Sequence, residues 1–266
     1  GELSTIKLDI IQERKEIKKE IKKKLEKARE KGDMKEARKY AQMTSKLDSD
    51  MIEESKKLIK YMGIPVVQAP SEGEAQSAYM VQEGDVWACA SQDYDTLLFN
   101  GKRLIRNFAV SRSKKVKDTS VTLDIEYISL NKFLDKFEIN REQLIDMGIL
   151  IGTDFFPGIK GIGQHTALDL IKKHGNLESI IKKEVEAAGK KIDLDMDIVN
   201  QVKEIFLHPT VTKDYPKLTW TKIEYDKIKE LLVETHNFSS SRVENALDRL
   251  RKLDQSSTQV SLDSFF

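Results

Sequence analysis

Apolar residues recur along this chain in two patterns, one helical and one typical of buried strands. In residues 1–60 the apolar positions Ile21, Leu25 and Ala28 follow helical spacing, and Gly32 interrupts the helix. Short continuous apolar runs elsewhere predict strands that are buried on both faces of a sheet. Further helices are predicted over 48–62, 71–84, 141–151 and 164–174, and across most of 176–250. Strands are predicted over 64–67, 86–90, 102–107 and 121–125.

The alternation of strands and helices predicts the α/β class, with a mainly parallel sheet that is covered by helices on both faces. Composition divides the chain into four regions. They are a basic helical hairpin (1–60), an α/β core (61–147), a second helical region (148–250) and a flexible polar tail (251–266).

Four carboxylates are predicted to meet at one edge of this sheet. Ser71 has the sequence of a helix N-cap and Glu74 completes a capping box, so Glu72 and Glu74 stand at the start of a helix. Asp93 and Asp95 follow an apolar strand at its carboxyl end, where open α/β sheets keep their sites. On extended backbone, an Asp-x-Asp pair directs both side chains to the same side. Mg²⁺ or Mn²⁺, which prefer oxygen ligands, would offset the repulsion between these carboxylates.

A glycine-rich turn joins two predicted helices directly after Asp154. In this turn Gly158, Gly161 and Gly163 allow a phosphate to approach the backbone closely, and the next helix supplies N–H groups and the positive end of its dipole. The arrangement is typical of a helix-hairpin-helix, which binds the DNA backbone without reading bases. Lys160 is better placed in this turn for a phosphate than for the core. The alternative is a turn that binds nothing.

Composition excludes several classes of protein. The 266 residues carry 45 Lys and Arg against 44 Asp and Glu, so net charge neither favours nor opposes a nucleic-acid partner. The single cysteine, Cys89, excludes an internal disulfide and suits a reducing compartment. No segment has the length and hydropathy of a membrane span, and no signal peptide is visible, so we expect no membrane partner and a cytoplasmic location.

Three stretches, APSEGEAQ, ASQDYDTLLF and GTDFFPGIKGIG, resemble the 5′-nuclease (XPG-type) family, most closely its archaeal flap endonucleases. The likeness runs over almost the whole chain and implies a PIN-like 5′-nuclease core. In that family, Glu and Asp residues bind two divalent ions that cut a phosphodiester bond. The family usually continues Asp-Tyr-Asn where this chain has Asp154-Phe155-Phe156. The positions that match the family's metal ligands are Glu72, Glu74, Asp93, Asp95 and Asp154.

The resemblance also implies a set of DNA-binding residues. Residues 1–60 would form a helical arch through which a single-stranded 5′ flap passes, and Lys7 and Arg14 match its phosphate-steering positions. Lys18 and Lys22 add positive charge to the same helix, although a solvated helical hairpin is the simpler explanation for most of these lysines. The helix-hairpin-helix would hold DNA with a monovalent cation between loop and phosphate. In the family, a lobe with further metal-binding Asp residues precedes the position of Gly1.

The last eight residues contain a second motif. Leu262, Phe265 and Phe266 stand at i, i+3 and i+4, so one helical turn would gather them on one face. With Gln259 they resemble the Gln-x-x-Leu-x-x-Phe-Phe peptide by which replication proteins bind the sliding clamp, PCNA. The alternative is a tail that folds back onto the body of the protein.

The favoured hypothesis is a structure-specific 5′-flap endonuclease of DNA replication and repair, which is monomeric apart from the clamp and hydrolyses DNA with two Mg²⁺ ions. Mn²⁺ would substitute for Mg²⁺. A second hypothesis is a non-catalytic module that binds DNA and the clamp, because the family's upstream Asp residues are absent from this sequence. A third is an acidic Ca²⁺-binding α/β protein, although no EF-hand spacing is present. The carboxylates also have a purely structural explanation, in which Glu74 would be only a helix cap, and Asp93 and Asp95 only a polar turn after a strand.

Overall fold

The computed structural model describes residues 19–44, 48–108, 113–116, 119–183, 185–187 and 189–263. These residues form two compact units. The first contains the described residues up to Thr44 together with Gln68–Asp214, and the second contains 48–67 and 215–263. This division by contacts differs from the four regions inferred from composition, whose boundaries remain predictions about function.

The described elements are as follows. The helices are α1 (19–30), α2 (Met34–Thr44), α3 (Ser49–Tyr61), α4 (Gly73–Glu83), α5 (Asp95–Leu98), α6 (Leu130–Phe137), α7 (Arg141–Ile151), α8 (Gln164–His174), α9 (Leu177–Lys182), α10 (Met196–Leu207), α11 (Tyr225–Lys229) and α12 (Ser240–Asp263), with a π-helical turn at Glu230–Thr235. The strands are β1 (Cys89–Ala90), β2 (Arg103–Arg106), β3 (Ser113–Val116), β4 (Thr119–Thr122), β5 (Glu126–Ser129), β6 (Glu186–Ala187) and β7 (Lys190–Lys191).

The main sheet of the first unit is small and mixed. Its order is β1-β2-β5; β1 and β2 are parallel, and β2 and β5 are antiparallel. The predicted α/β class is confirmed, but a mainly parallel sheet is wrong for the described residues. The short helix α5 carries the chain from β1 back to a parallel β2. In the described part of the chain between β2 and β5, the elements are the strands of the β3–β4 hairpin, and a parallel β5 would need a crossover helix there.

Two predicted strands differ from the structure. Residues 64–67 join no sheet in the described chain, and Pro65 offers no N–H to a ladder. The strand predicted over 86–90 is reduced to Cys89–Ala90, and Trp87 is 62% exposed. The apolar run over 86–90 therefore predicted the position of β1 correctly, but it predicted a longer strand than the one observed.

Helix α7 lies at the centre of the first unit's core. Its side chains Ile145, Ile149 and Leu150 are fully buried. Asn140 caps the helix by accepting a hydrogen bond from the Gln143 backbone N–H, and the Gln143 side chain completes the capping box. The predicted helix over 141–151 is confirmed, so the residues that follow α7 have a rigid support.

The basic hairpin contains α1 and α2, which turn at Gly32 as predicted. Leu25 and Ala28 of α1 are buried together with Ala37 of α2. The Asp33 carboxylate accepts hydrogen bonds from the first backbone N–H groups of α2. These few apolar contacts are the whole described core of the hairpin.

The second unit packs α3, α11 and α12 around Ile228, Val243 and Leu247. Asp48 caps α3 by accepting a hydrogen bond from the backbone N–H of Met51 at 2.8 Å, which confirms the predicted helix over 48–62. The backbone of α12 continues to Asp263, so the predicted flexible tail begins as helix. Among the described residues, no helix combines the length and apolar character that crossing a membrane requires.

Candidate active site

The first two carboxylates lie at the start of α4. Glu72 occupies the N-cap position and Glu74 lies in the first turn, where negative charge is favoured by the helix dipole. The predicted capping box at Ser71 is wrong, because the helix begins one residue later than that box requires. Glu74 instead accepts a hydrogen bond from Ser91 Oγ at 3.3 Å. Its carboxylate is thereby directed toward the end of β1.

The second pair follows β1, as predicted, but not on extended backbone. Asp93 lies in a short loop, where its backbone N–H donates to Ser91 Oγ at 3.1 Å. Asp95 is the first residue of α5, which Tyr94 precedes as N-cap. The expectation that strand alternation would align Asp93 and Asp95 is therefore wrong. Their common location comes from a turn into a helix.

Asp154 follows α7. Gly152 ends this helix, and a bridge between Thr153 and Phe156 closes a tight turn with Asp154 in it. Phe155, which stands where the related family usually has Tyr, is 3% exposed and packs edge-on against Phe206 at 5.3 Å between ring centroids. The apolar ring fixes the turn from the core side, so the carboxylate keeps its support without a polar neighbour at that position.

Electrostatics links all five carboxylates. Partial burial, and after it the negative charges of four other carboxylates, together raise the pKa of Asp95 from 3.8 to about 7. A half-buried carboxyl beside like charges holds a proton near neutral pH unless a cation is supplied. The four groups, in order of influence, are Asp93, Asp154, Glu74 and Glu72.

The donor set fits a hard divalent cation by its chemistry. All five side chains offer carboxylate oxygens, the ligands that Mg²⁺ and Mn²⁺ prefer. Among the described residues, no three His, Cys, Asp or Glu side chains already form a closed group that could hold a metal. The charges of the other four carboxylates nevertheless reach Asp95, and a bound cation would offset that repulsion.

The glycine-rich turn between α7 and α8 has the predicted form. Gly158 has φ +74°, and a Cβ there would lie 2.3 Å from the Ile151 carbonyl oxygen, so only glycine fits. Gly161 has φ +95°, and Gly163 is the N-cap of α8. Helix α8 begins at Gln164 and ends before Gly175, which confirms the predicted helix over 164–174.

The exposed face of this turn carries one of the predicted phosphate-binding side chains. Lys160 is exposed, as are Gly161 and Gly163 beside it. The N-terminal N–H groups of α8 follow directly and face no capping side chain from Gly163. The turn therefore offers an anion both a positive charge and backbone donors.

Of the lysines predicted to line the arch, Lys22 is described, and it is exposed on α1. Several other predicted residues lie wholly or partly outside the described structure. Gln259 and Leu262 belong to the helical backbone of α12, and their side chains are not described. The residues outside the described ranges are Lys7, Arg14, Lys18, Phe265 and Phe266.

Sequence reasoning missed Arg106, the last residue of β2. Its guanidinium donates to the Gln92 carbonyl oxygen at 3.3 Å and to the Tyr94 hydroxyl, and it pairs with Glu126 at 2.7 Å. The signal that could have identified Arg106 is its place at the carboxyl end of the strand beside β1, the same edge that carries the Asp pair.

Comparisons with known proteins agree with the predicted resemblance. Residues 63–154 match the family model described as the XPG I-region. The flap endonuclease 1 of Ignicoccus hospitalis is 46% identical over 271 aligned positions, which cover the whole of this chain and 75% of that protein. The solved flap endonuclease-1 of Methanococcus jannaschii is 38% identical with a TM-score of 0.64, covering 85% of this chain and 65% of that one.

A more distant structure shares the fold alone. The catalytic core of Rad2, solved in complex with DNA substrate, has a TM-score of 0.67 at 22% identity, covering 94% of this chain and 76% of that one. The identity and coverage of the Ignicoccus relative leave no doubt about descent. This chain belongs to the flap endonuclease family.

Proposed function

We propose that this protein is a structure-specific 5′-flap endonuclease that hydrolyses DNA with two bound Mg²⁺ ions. The observation that carries the proposal is the convergence of α4 with the turn after β1: Ser91 Oγ donates to Glu74 and accepts from the Asp93 backbone N–H. At this point burial and four further carboxylates raise the pKa of Asp95. A group of half-buried and exposed like charges that act on one another is a place where a divalent ion binds favourably. Family membership supports flap DNA as the substrate, since the curated relatives are flap endonucleases.

The carboxylates divide by the elements that hold them. Glu72 and Glu74 come from the start of α4, Asp93 and Asp95 from the turn into α5, and Asp154 from the turn after α7. These residues would hold two Mg²⁺ ions, with Mn²⁺ as a substitute. When bound, the ions supply positive charge and water activation for an in-line phosphodiester hydrolysis.

DNA would be held away from the reacting bond by the turn between α7 and α8. Its Lys160 charge and the backbone N–H groups at the start of α8 suit a phosphate of the duplex. A monovalent cation between this turn and the phosphate belongs to the same proposal. Since Asp154 lies in the turn that directly follows α7, and the glycine-rich turn comes next, one rigid helix would support both the metal ligand and the duplex contact.

Other parts of the proposal rest on the sequence. Lys7 and Arg14, with Lys18 and Lys22, would line an arch for the single-stranded flap. Gln259, Leu262, Phe265 and Phe266 would bind the sliding clamp. A monomer in the cytoplasm is proposed on the same basis.

The experiment is cleavage of a labelled 5′-flap duplex in Mg²⁺, with EDTA and Asp93→Ala as controls. We expect a cut at the flap junction that both controls abolish. The rival function is a module that binds flap DNA without cutting it. Binding in a gel shift with no cleavage by the wild-type chain would establish that rival and exclude the enzyme.

A further inference from the structure

Arg106 contacts both residues that flank Asp93. Its Nε and Nη2 atoms each donate to the Gln92 carbonyl oxygen at 3.3 Å, and Nη1 donates to the Tyr94 hydroxyl. The guanidinium carbon also lies 3.9 Å from the centroid of the Tyr94 ring. Gln92 and Tyr94 are therefore both fixed by one side chain.

The rest of the loop is anchored at its ends. The Ser91 backbone N–H donates to the Ile105 carbonyl oxygen at 3.2 Å, which continues the β1–β2 ladder. At the other end, the Leu97 N–H donates to the Tyr94 carbonyl oxygen at 2.9 Å, in the first turn of α5. Between these anchors, Arg106 and the Ser91 hydroxyl supply the side-chain hydrogen bonds that reach residues 92–94 in the described structure.

The charge of Arg106 is matched by Glu126 rather than by the metal-binding carboxylates. Nη1 lies 2.7 Å from Glu126 Oε2, and the Arg106 side chain is only 20% exposed. The groups that act on Asp95 are four carboxylates, and Arg106 is not one of them. Glu126 faces Arg106 directly across β2 and β5. Arg106 thus fixes the loop without neutralising the site.

We propose that Arg106 is a positioning residue, which holds the Asp93–Asp95 turn in the shape that binds metal, with Glu126 orienting its guanidinium. The inference rests on the proposed metal-dependent function and adds a residue that no comparison assigns. A planar guanidinium can reach Gln92 and Tyr94 at once, whereas an ammonium cannot match that fork. Mutation of a residue that orients a metal ligand typically weakens metal binding by about 10–100-fold.

The test compares two arginines of the same strand. Arg103 is the first residue of β2, and Arg106 is the last. Arg103 donates to the Trp87 carbonyl oxygen, and its guanidinium carbon lies 5.4 Å from the Trp87 ring centroid. Arg103→Ala is therefore a matched control at the end of β2 away from the Asp turn. The variants Arg106→Ala, Arg106→Lys and Glu126→Gln are compared with it. Two quantities are measured on the full chain: the Mn²⁺ dissociation constant by calorimetry, and amide hydrogen exchange of residues 91–95 without metal.

We expect Arg106→Ala to weaken Mn²⁺ binding by about 10–100-fold and to speed exchange in 91–95, with little rescue by Arg106→Lys. Glu126→Gln should give a smaller change in the same direction, and Arg103→Ala none. Unchanged affinity and exchange in both Arg106 variants would overturn the inference. If Arg106→Ala does not fold, as judged by circular dichroism, Arg106→Lys and Glu126→Gln decide.

The two proposals fail in different ways. If the wild-type chain binds no Mn²⁺, the proposed metal site is wrong, and exchange in 91–95 still decides whether Arg106 holds the turn. If the wild-type chain binds Mn²⁺ but the Arg106 variants match it in both measurements, the positioning role is wrong and the metal site stands.

Discussion

Two aspartates of the first unit lie in opposite electrostatic environments. Asp146, on α7, is 1% exposed. Lys203 Nζ lies 2.7 Å from its Oδ1, and the Leu177 backbone N–H donates to its Oδ2 at 3.0 Å. Asp95 has four carboxylates as its charged influences and a pKa raised to about 7. The buried Asp146 charge is compensated inside the fold, whereas the half-buried Asp95 is influenced by like charges.

The difference separates a structural carboxylate from a functional one. Asp146 joins α7, α9 and α10 around the core, through an ion pair at one oxygen and a hydrogen bond at the other. Asp95 sits where the fold gathers negative charge at some expense of its own stability. Such an arrangement is retained where a ligand supplies the missing charge. The comparison predicts that the two aspartates respond in opposite ways to the same substitution.

The largest effect is expected on catalysis. Asp95→Asn should lower the rate of flap cleavage in Mg²⁺ by more than about a hundredfold. Mutation of residues that only orient a metal ligand already costs about 10–100-fold in activity, and Asp95 would be a ligand itself. Asp146→Asn should leave most of the activity at temperatures where the variant is folded. Single-turnover cleavage of a labelled flap duplex measures both. Equal losses in the two variants would remove the distinction.

Stability should change in the reverse order. Asp146→Asn removes the negative charge that pairs with Lys203 beside the core, and breaking a buried ion pair costs about 3 kcal/mol of the free energy of unfolding. Asp95→Asn in EDTA should instead raise that free energy, because it removes a repelled carboxylate. Urea unfolding at pH 8 gives both values. A destabilised Asp95→Asn would argue against the repulsion.

The pH dependence of stability should isolate Asp95. Its folded pKa is above its unfolded value, so between about pH 4 and pH 7 the folded chain holds a proton that the unfolded chain has lost. Stability from this group therefore falls as pH rises through that window. In EDTA, the advantage of Asp95→Asn over wild type should grow from pH 4 to pH 7 and then level off. A difference that is constant with pH would contradict the assignment.

The smallest effect is expected at the turn between α7 and α8. Lys160→Ala should weaken flap DNA binding to a similar extent for all sequences and reduce the salt dependence of log K by about one. Lys172→Ala is the control, because Lys172 lies on α8 and pairs with Glu138 at 3.0 Å. Fluorescence anisotropy across a salt series measures both variants. Equal slopes for the two variants would exclude a phosphate contact by Lys160.

Local signals predicted the parts of the fold that local chemistry decides. Helix α8 begins and ends at the predicted residues, because Gly163 and Gly175 bound it. The order of Glu72, Glu74, Asp93 and Asp95 along a helix–strand unit was enough to predict one shared location. The mutual effects on the Asp95 pKa agree with that prediction.

Features that depend on distant partners could not be predicted. The direction of β5 depends on the β3–β4 hairpin and not on its own sequence. Ser71 was a plausible cap, but the Ser91 hydroxyl recruits Glu74 from another element. Nothing in the local sequence distinguishes Arg106 from other arginines in strands, because its partners Gln92 and Tyr94 lie in a different segment of the chain. The prediction that Asp93 and Asp95 lie on one side of an extended backbone was likewise wrong, because helix α5 begins at Asp95.

The most direct test of the account is the shift in thermal midpoint that Mg²⁺ produces in the wild-type chain, Asp95→Asn and Asp146→Asn at pH 8. A cation that binds the folded state raises the midpoint, and the rise grows with the logarithm of the cation concentration relative to its Kd. We predict a clear rise for wild type and for Asp146→Asn, and almost none for Asp95→Asn. No rise in the wild-type chain, or the same rise in all three, would contradict the claim that the carboxylates around Asp95 are arranged to bind a divalent cation.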